Sequence, residues 1–373
     1  MSKKLKLLSL LLFPLAILIN TICSKFPYFI EKYYSISINK FTVEILSNIS
    51  GIFPFSLYEV TIYLVVISIV LFIIYSIYIL INKKIKFKSF IKNSLLNILS
   101  LISVVYFLFI ILWGLNYSRV PPEITLIENY NLKYNKSISS VDKNNEDLAK
   151  LYEFLIKKAN ETRKLVKSKN GVMKANSDYK GIINRAHLGY DNILHLIPTL
   201  SGNYSKAKYV ISSEIMCYTG ITGIYFPFTG EANINVAIPD LYLPSTTLHE
   251  MAHQRGYANE DEANFIAYLA SVYHPDVDFK YSGYILALNH TANELYSTDY
   301  DTYIELSKNI SNDVLADLEY NNEFWQKYSG KIDEISNKFN DSYLKANGVK
   351  DGTASYRKIV DLLLTHYKLD GNF

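Results

Sequence analysis

The chain has 373 residues, a net charge of +3, and 49% hydrophobic against 20% charged residues. That length holds two domains, or one domain plus a membrane unit, and so small a charge excludes nucleic acid as the main partner. Two separated cysteines, Cys23 and Cys217, exclude a disulfide framework and a cysteine-based zinc site.

The apolar residues concentrate at the front, in runs at 7–23, 60–81 and 95–113. Each approaches the roughly 20 residues that cross a bilayer as a helix. None carries the polar face that a buried core helix would have. The first run lacks small residues before a cleavage site, and Ile22 stands where a lipoprotein signal needs a small one. It is predicted to be a retained helix rather than a signal peptide. The connector after the second run carries Lys83, Lys84, Lys86, Lys88 and Lys92 with no acid, whereas that after the first mixes Lys25, Glu31, Lys32, Lys40 and Glu44. Positive charge stays in the cytoplasm. The N-terminus and the 83–94 loop are therefore expected inside a cell membrane, and everything from about Asn116 outside it. This divides the chain into a membrane region, 1–116, and an extracytoplasmic domain, 117–373. Arg119, just past the third run, is expected to anchor at lipid headgroups.

The outer part reads as mainly helical. Leu148, Leu151, Tyr152, Leu155 and Ile156 predict one face of a helix over 147–166. A second helix is predicted over 179–196, stopped by Pro198. Residues 221–226 and 232–238 read as strands around a turn, and Pro239-Asp240 ends the second. A helix over 244–255 follows, with Gly256 as its stop. The chain is helical again from Glu260 to about 367. The predicted fold class is a multi-pass three-helix membrane region followed by a mainly α, α+β domain with a small antiparallel sheet.

The helix at 244–255 contains His249-Glu250-Met251-Ala252-His253. Histidines four apart on a helix share a face and can bind one ion. H-E-x-x-H on a helix is the metallopeptidase signature. Neutral imidazoles hold zinc, one position stays open for water, and zinc lowers that water's pKa to about 7. Glu250 is the expected general base. The metzincin extension fails, because Asn259 occupies the third histidine's place and no methionine follows Met251.

With Asn259-Glu260-Asp261-Glu262-Ala263-Asn264 behind it, the motif resembles the gluzincin-type zinc metallopeptidases. That resemblance implies Glu260 as third ligand and places Asn264 where the family has an aspartate beside a ligand histidine. Helix geometry gives a separate vote. Glu260 shares its face with small residues, Ala263, Asn264, Ala267 and Ser271, which would allow close approach to the histidine helix. Glu262 shares its face with Phe265, Ile266 and Leu269. The two glutamates point about 200° apart, so only one can face the metal. Glu260 is favoured; Glu262 is the alternative, expected otherwise to join Asp261 as helix N-terminal charge. Trp113-Gly-Leu-Asn-Tyr-Ser-Arg119, Pro121 and the H-E-x-x-H-Q-R-G block also resemble an uncharacterised bacterial membrane family of unknown function. Its members have three N-terminal helices and a zincin-like domain.

The resemblance implies two further parts. An edge strand should pair with substrate backbone, and 232–238 stands in the right place. A donor should stabilise the oxyanion, with His290, Tyr284 and Tyr281 as candidates. His187, His195, His274 and His366 have no paired spacing and are read as structural. The expectation is thus a membrane-anchored hydrolase that uses one Zn2+ to cut extracytoplasmic proteins or peptides. Its rivals are a non-catalytic zinc sensor, which would not need Glu250, and an assembly protein with a decayed site. An intramembrane protease is disfavoured, because the motif lies far from the apolar runs in sequence.

Overall fold

The computed structural model describes residues 2–82, 86–346 and 357–369. Lys83 and Lys84, part of the orienting charge pattern, lie outside the described residues. The chain opens with α1 (Lys3–Ser9) and α2 (Leu12–Cys23), together an apolar helical stretch of 21 residues. A short α3 (Pro27–Phe29), a π-helix (Ile30–Asn39) and α4 (Lys40–Gly51) follow. Then come α5 (Leu57–Ile81) and α6 (Phe87–Leu112), of 25 and 26 residues. At 1.5 Å per residue they are about 37 and 39 Å long, enough to cross the ~30 Å hydrocarbon of a bilayer.

Past a 3-10 turn at Gly114–Ser118 lie α7 (Pro122–Tyr134) and α8 (Asn145–Arg163), the latter opened by a reciprocal Asn144–Asp147 capping box. A hairpin of β1 (Lys167–Lys169) and β2 (Val172–Lys174) leads to α9 (Tyr179–Arg185) and α10 (His187–Ile193). The helix predicted over 179–196 is thus broken at Ala186. Next come β3 (Lys208–Tyr209), α11 (Ser213–Cys217), β4 (Gly223–Phe226) and β5 (Glu231–Ile234). The remainder is helical: α12 (Leu243–Gln254), α13 (Glu260–Val272), α14 (Val277–Thr298), α15 (Tyr300–Ser307), α16 (Asn312–Gln326), α17 (Lys331–Ala346) and α18 (Arg357–Leu369).

The second sheet has the order β3-β5-β4, with β3 parallel and β4 antiparallel to β5. This corrects two expectations. The sheet is mixed rather than antiparallel, and the run expected as an edge supplies the middle strand. The edge facing the histidine helix is β4.

The core gathers where α13 packs between α12 and α14, with α8 on the far side of α14. The five predicted core residues of α8 are all buried. Close packing relies on small residues at two places. A Cβ on Gly283 of α14 would sit 2.3 Å from Ser271 Cβ, and one on Gly189 of α10 would sit 2.3 Å from the Ala270 carbonyl oxygen. Ser271 therefore serves the contact with α14, not the approach to α12. Inside this core Asp317 accepts from Arg163 Nε (2.5 Å), the Met173 amide (2.6 Å) and the Tyr281 hydroxyl (2.6 Å).

The connector between the first two apolar helices packs on the C-terminal domain. Lys208 Nζ, buried, donates to the carbonyls of Ser50 (2.5 Å) and Phe55 (2.9 Å) and pairs with Glu231 (2.8 Å). The Glu231 carboxylate accepts from the amides of Leu57 (3.2 Å) and Tyr58 (3.0 Å). It caps the first turn of α5, where negative charge meets the exposed amides and the positive end of the helix dipole. Ser56 Oγ bonds Asn233 Oδ1 at 2.6 Å. The N-terminal end of α5 is thereby fastened to β5.

Gly189→Ala tests the tight packing. Alanine favours a helix over glycine by about 1 kcal/mol, but its methyl group would press on a backbone carbonyl, and overpacking costs about 1–3 kcal/mol. The net change expected is a lowered melting temperature in detergent; an unchanged or raised one would refute the contact.

Candidate metal centre

Helix α12 enters with Pro244 in its first turn and ends at Arg255, after which Gly256 turns the chain at φ +83°. That left-handed conformation suits glycine. The turn brings the start of α13 back over the last turns of α12. His249 and His253 stand with ring centroids 4.6 Å apart and planes nearly perpendicular. Glu260, the first residue of α13, meets both: its Oε2 lies 3.1 Å from His249 Nε2 and its Oε1 lies 3.5 Å from His253 Nε2. Ligands about 2.05 Å from a tetrahedral ion are about 3.3 Å from one another. Glu260 stands at about that distance from each ring, and the ligand atoms of all three side chains lie within 4.8 Å of one another.

The tautomer of His253 suits an ion as well. Its Nδ1 donates to the Tyr257 carbonyl oxygen at 2.6 Å, which leaves Nε2 aimed at the cluster. Asn264 was expected beside a ligand histidine. Tyr257 fills that role for His253, and His249 Nδ1 is buried without a hydrogen-bond partner. Burial opposes charge on His253, but the Glu260 carboxylate outweighs it and raises the ring to about 9. Burial likewise works against Glu260, and the two histidines hold its carboxyl below the usual carboxylate range.

Glu250 is 4% exposed, and its Oε2 has no hydrogen-bond partner. Burial pushes its carboxyl up to about 7 against the pull of His249 and His253, a value suited to exchanging protons near neutrality. The edge strand runs past it closely. A Cβ on Gly223 would lie 2.5 Å from Glu250 Oε1, so only glycine lets β4 pass. His249, Glu250, His253 and Glu260 share a cleft of about 520 Å³ with all of β4, with Phe109 and Trp113 at the end of α6, and with Asn337 and Asn340 of α17. Trp113 packs edge-on to His253 (5.8 Å) and against Tyr225 (4.6 Å).

Several expected residues fall elsewhere. Tyr281 is buried with its hydroxyl committed to Asp317, and Tyr284 lines a different cavity with Tyr268 and His366. Neither is available as an oxyanion donor. His290 is near His249, and burial, helped by that neighbour, lowers its ring to about 4. Tyr225, which sequence reasoning passed over, lines the cleft with its buried hydroxyl unpartnered. Glu262 does not meet the histidines; it lies with Glu260 and Asp261 in the first turn of α13, as expected of a helix N-terminal acid. It is 7% exposed, and burial pushes its carboxyl up to about 8 despite Arg119 nearby.

Arg119 is the largest correction. It does not reach for headgroups. Its side chain is 1% exposed; it pairs with Glu31 of the π-helix through Nη2 (2.7 Å) and Nε (3.0 Å). Nη1 donates to the carbonyls of Gly256 (3.0 Å) and Arg255 (3.3 Å), and the guanidinium lies 3.8 Å from the Tyr257 ring. It clamps the turn whose Tyr257 carbonyl holds His253.

Fold and site together define a mostly helical protein with three membrane-length apolar helices and a His2Glu cluster beside the end of the third. The family described as "Protein of unknown function (DUF3810)" matches residues 34–364, and the chain belongs to it. No curated protein and no solved structure matches the chain.

The interior role of Arg119 separates from an anchoring role by Arg119→Lys. A headgroup anchor tolerates lysine. A fork between Glu31 and two carbonyls does not, and disrupting a buried ion pair costs about 3–5 kcal/mol. Arg119→Lys and Glu31→Gln should each lower thermal stability, with the double variant losing less than the sum. An unaffected Arg119→Lys would return the residue to the lipid surface.

Proposed function

We propose that the chain is a membrane-anchored zinc metallopeptidase whose catalytic domain lies outside the cytoplasm. One observation carries the reading: His249, His253 and Glu260 bring their ligand atoms within 4.8 Å of one another beside Glu250, a buried glutamate whose free carboxylate oxygen shares their cleft. The gluzincin resemblance and the lysine pattern support the class and the side.

A zinc ion held by those three side chains would supply an acidified water and a Lewis acid for a carbonyl. The chain's own groups account for the remainder. Glu250 accepts the water's proton and returns it to the leaving amine, which its poise near neutrality suits. Edge strand β4 pairs with extended substrate backbone, so that side chains alternate between cleft and solvent. Tyr225, which lines the cleft and whose buried hydroxyl is unpartnered, is the donor we assign to the developing oxyanion.

Two substitutions check the assignment. Glu250→Gln should keep stoichiometric zinc and lose at least about a hundredfold of peptide cleavage; loss of zinc with it would move Glu250 into the metal shell. Glu260→Ala should abolish zinc retention through dialysis, whereas Glu262→Ala should keep it. The reverse result would exchange their roles. Wild-type protein that binds zinc yet cuts no member of a peptide library, soluble or membrane-anchored, would leave a non-catalytic zinc-binding protein.

A further inference from the structure

Both flanking apolar helices end beside the cleft. The apolar run of α6 spans 95–113, about 28 Å of helix, so Trp113 falls at the edge of a ~30 Å hydrocarbon layer. Tryptophan at that depth is an interfacial residue. Its ring lies 5.8 Å from that of His253. Phe109, one turn deeper in α6, already lines the cleft. The other end of β4 is tied to α5: Phe226 packs on Tyr58, the second residue of that helix, with ring centroids 5.4 Å apart. Glu231 caps α5 from β5. Edge strand β4 is therefore pinned between the same-side ends of two membrane-length helices. No flexible tether lets the site rise from the surface.

We propose that the substrates are polypeptides anchored in the same membrane, taken as an extended strand along β4 and cut within a few residues of the bilayer surface. The inference rests on the metallopeptidase reading and adds the substrate class. A chain leaving the membrane beside α6 runs along Phe109, Trp113 and Tyr225 before reaching Glu250. On the order of 10–15 Å of extended backbone, about three to five residues at 3.3 Å each, covers that path. The aromatic wall suits the apolar residues that end a membrane span. A soluble peptide has no such residues and must enter between the domain and the headgroups.

The experiment uses the full chain with zinc in liposomes, alongside single-span test proteins. Each test protein carries one ten-residue block repeated four times after its span, and the block is varied across a library. Every cleavage preference is then offered at four distances. The same extensions are supplied without the span. We expect cutting in the first block to exceed each later block by about tenfold, and the unanchored extensions to be cut at least tenfold more slowly. Co-localisation alone raises effective concentration for all four blocks and falls only gradually with tether length, by less than about tenfold between neighbouring blocks. Equal cutting of all blocks, or of soluble and anchored forms, would overturn the inference and leave the peptidase reading standing. If no substrate of either kind is cut, the peptidase reading fails and takes this inference with it.

Discussion

A single buried guanidinium holds the two halves of this chain in register. Arg119 stands just past the third apolar helix, pairs with Glu31 of the connector after the first, and binds the two carbonyls that close the H-E-x-x-H helix. Burying that charge is costly unless every donor is met. Here Glu31, two carbonyls and the face of Tyr257 meet it. Asn116 and Asn39 extend the network, as Asn39 bonds Asn116 and the Leu112 carbonyl at the end of α6. The turn at Gly256 cannot shift without disturbing the end of a membrane-length helix.

The same logic recurs at the sheet. Glu231 and Lys208 are both buried, and together they satisfy the start of α5 and the carbonyls of the connector. The cleft is thus built between elements that both report on the apolar helices. The connector after α2 supplies several of these buried polar groups. Its Glu31, Asn39 and Ser56 bond residues of the C-terminal domain and of the segment leading into it, and a division at residue 116 separates groups that the fold joins.

Much of this was legible in the sequence, and the failures have physical causes. Hydrophobic length marks the three apolar helices, because a bilayer sets a minimum span. Helical spacing brings His249 and His253 together, and the 200° between Glu260 and Glu262 leaves one of them to meet the histidines. Arg119 was misread because adjacency to an apolar run suggests headgroups, while its partner Glu31 lies 88 positions away. The order of strands in a sheet is not their order in the chain, so the middle strand was taken for the edge. Tyr225 was lost among 32 tyrosines, since nothing local distinguishes a tyrosine that lines a cleft. Gly223 did carry a signal. A lone glycine in a strand marks close backbone approach, and here the approaching group is Glu250.

The central claim is that two imidazoles and one carboxylate of this chain hold a single zinc. X-ray absorption on the purified full chain tests it directly. The account predicts one zinc per chain with two imidazole nitrogens and oxygen neighbours at about 2.0–2.1 Å, and no sulfur. A spectrum with sulfur at about 2.3 Å, a shell of oxygens alone, or one that His249→Ala leaves unchanged would contradict it.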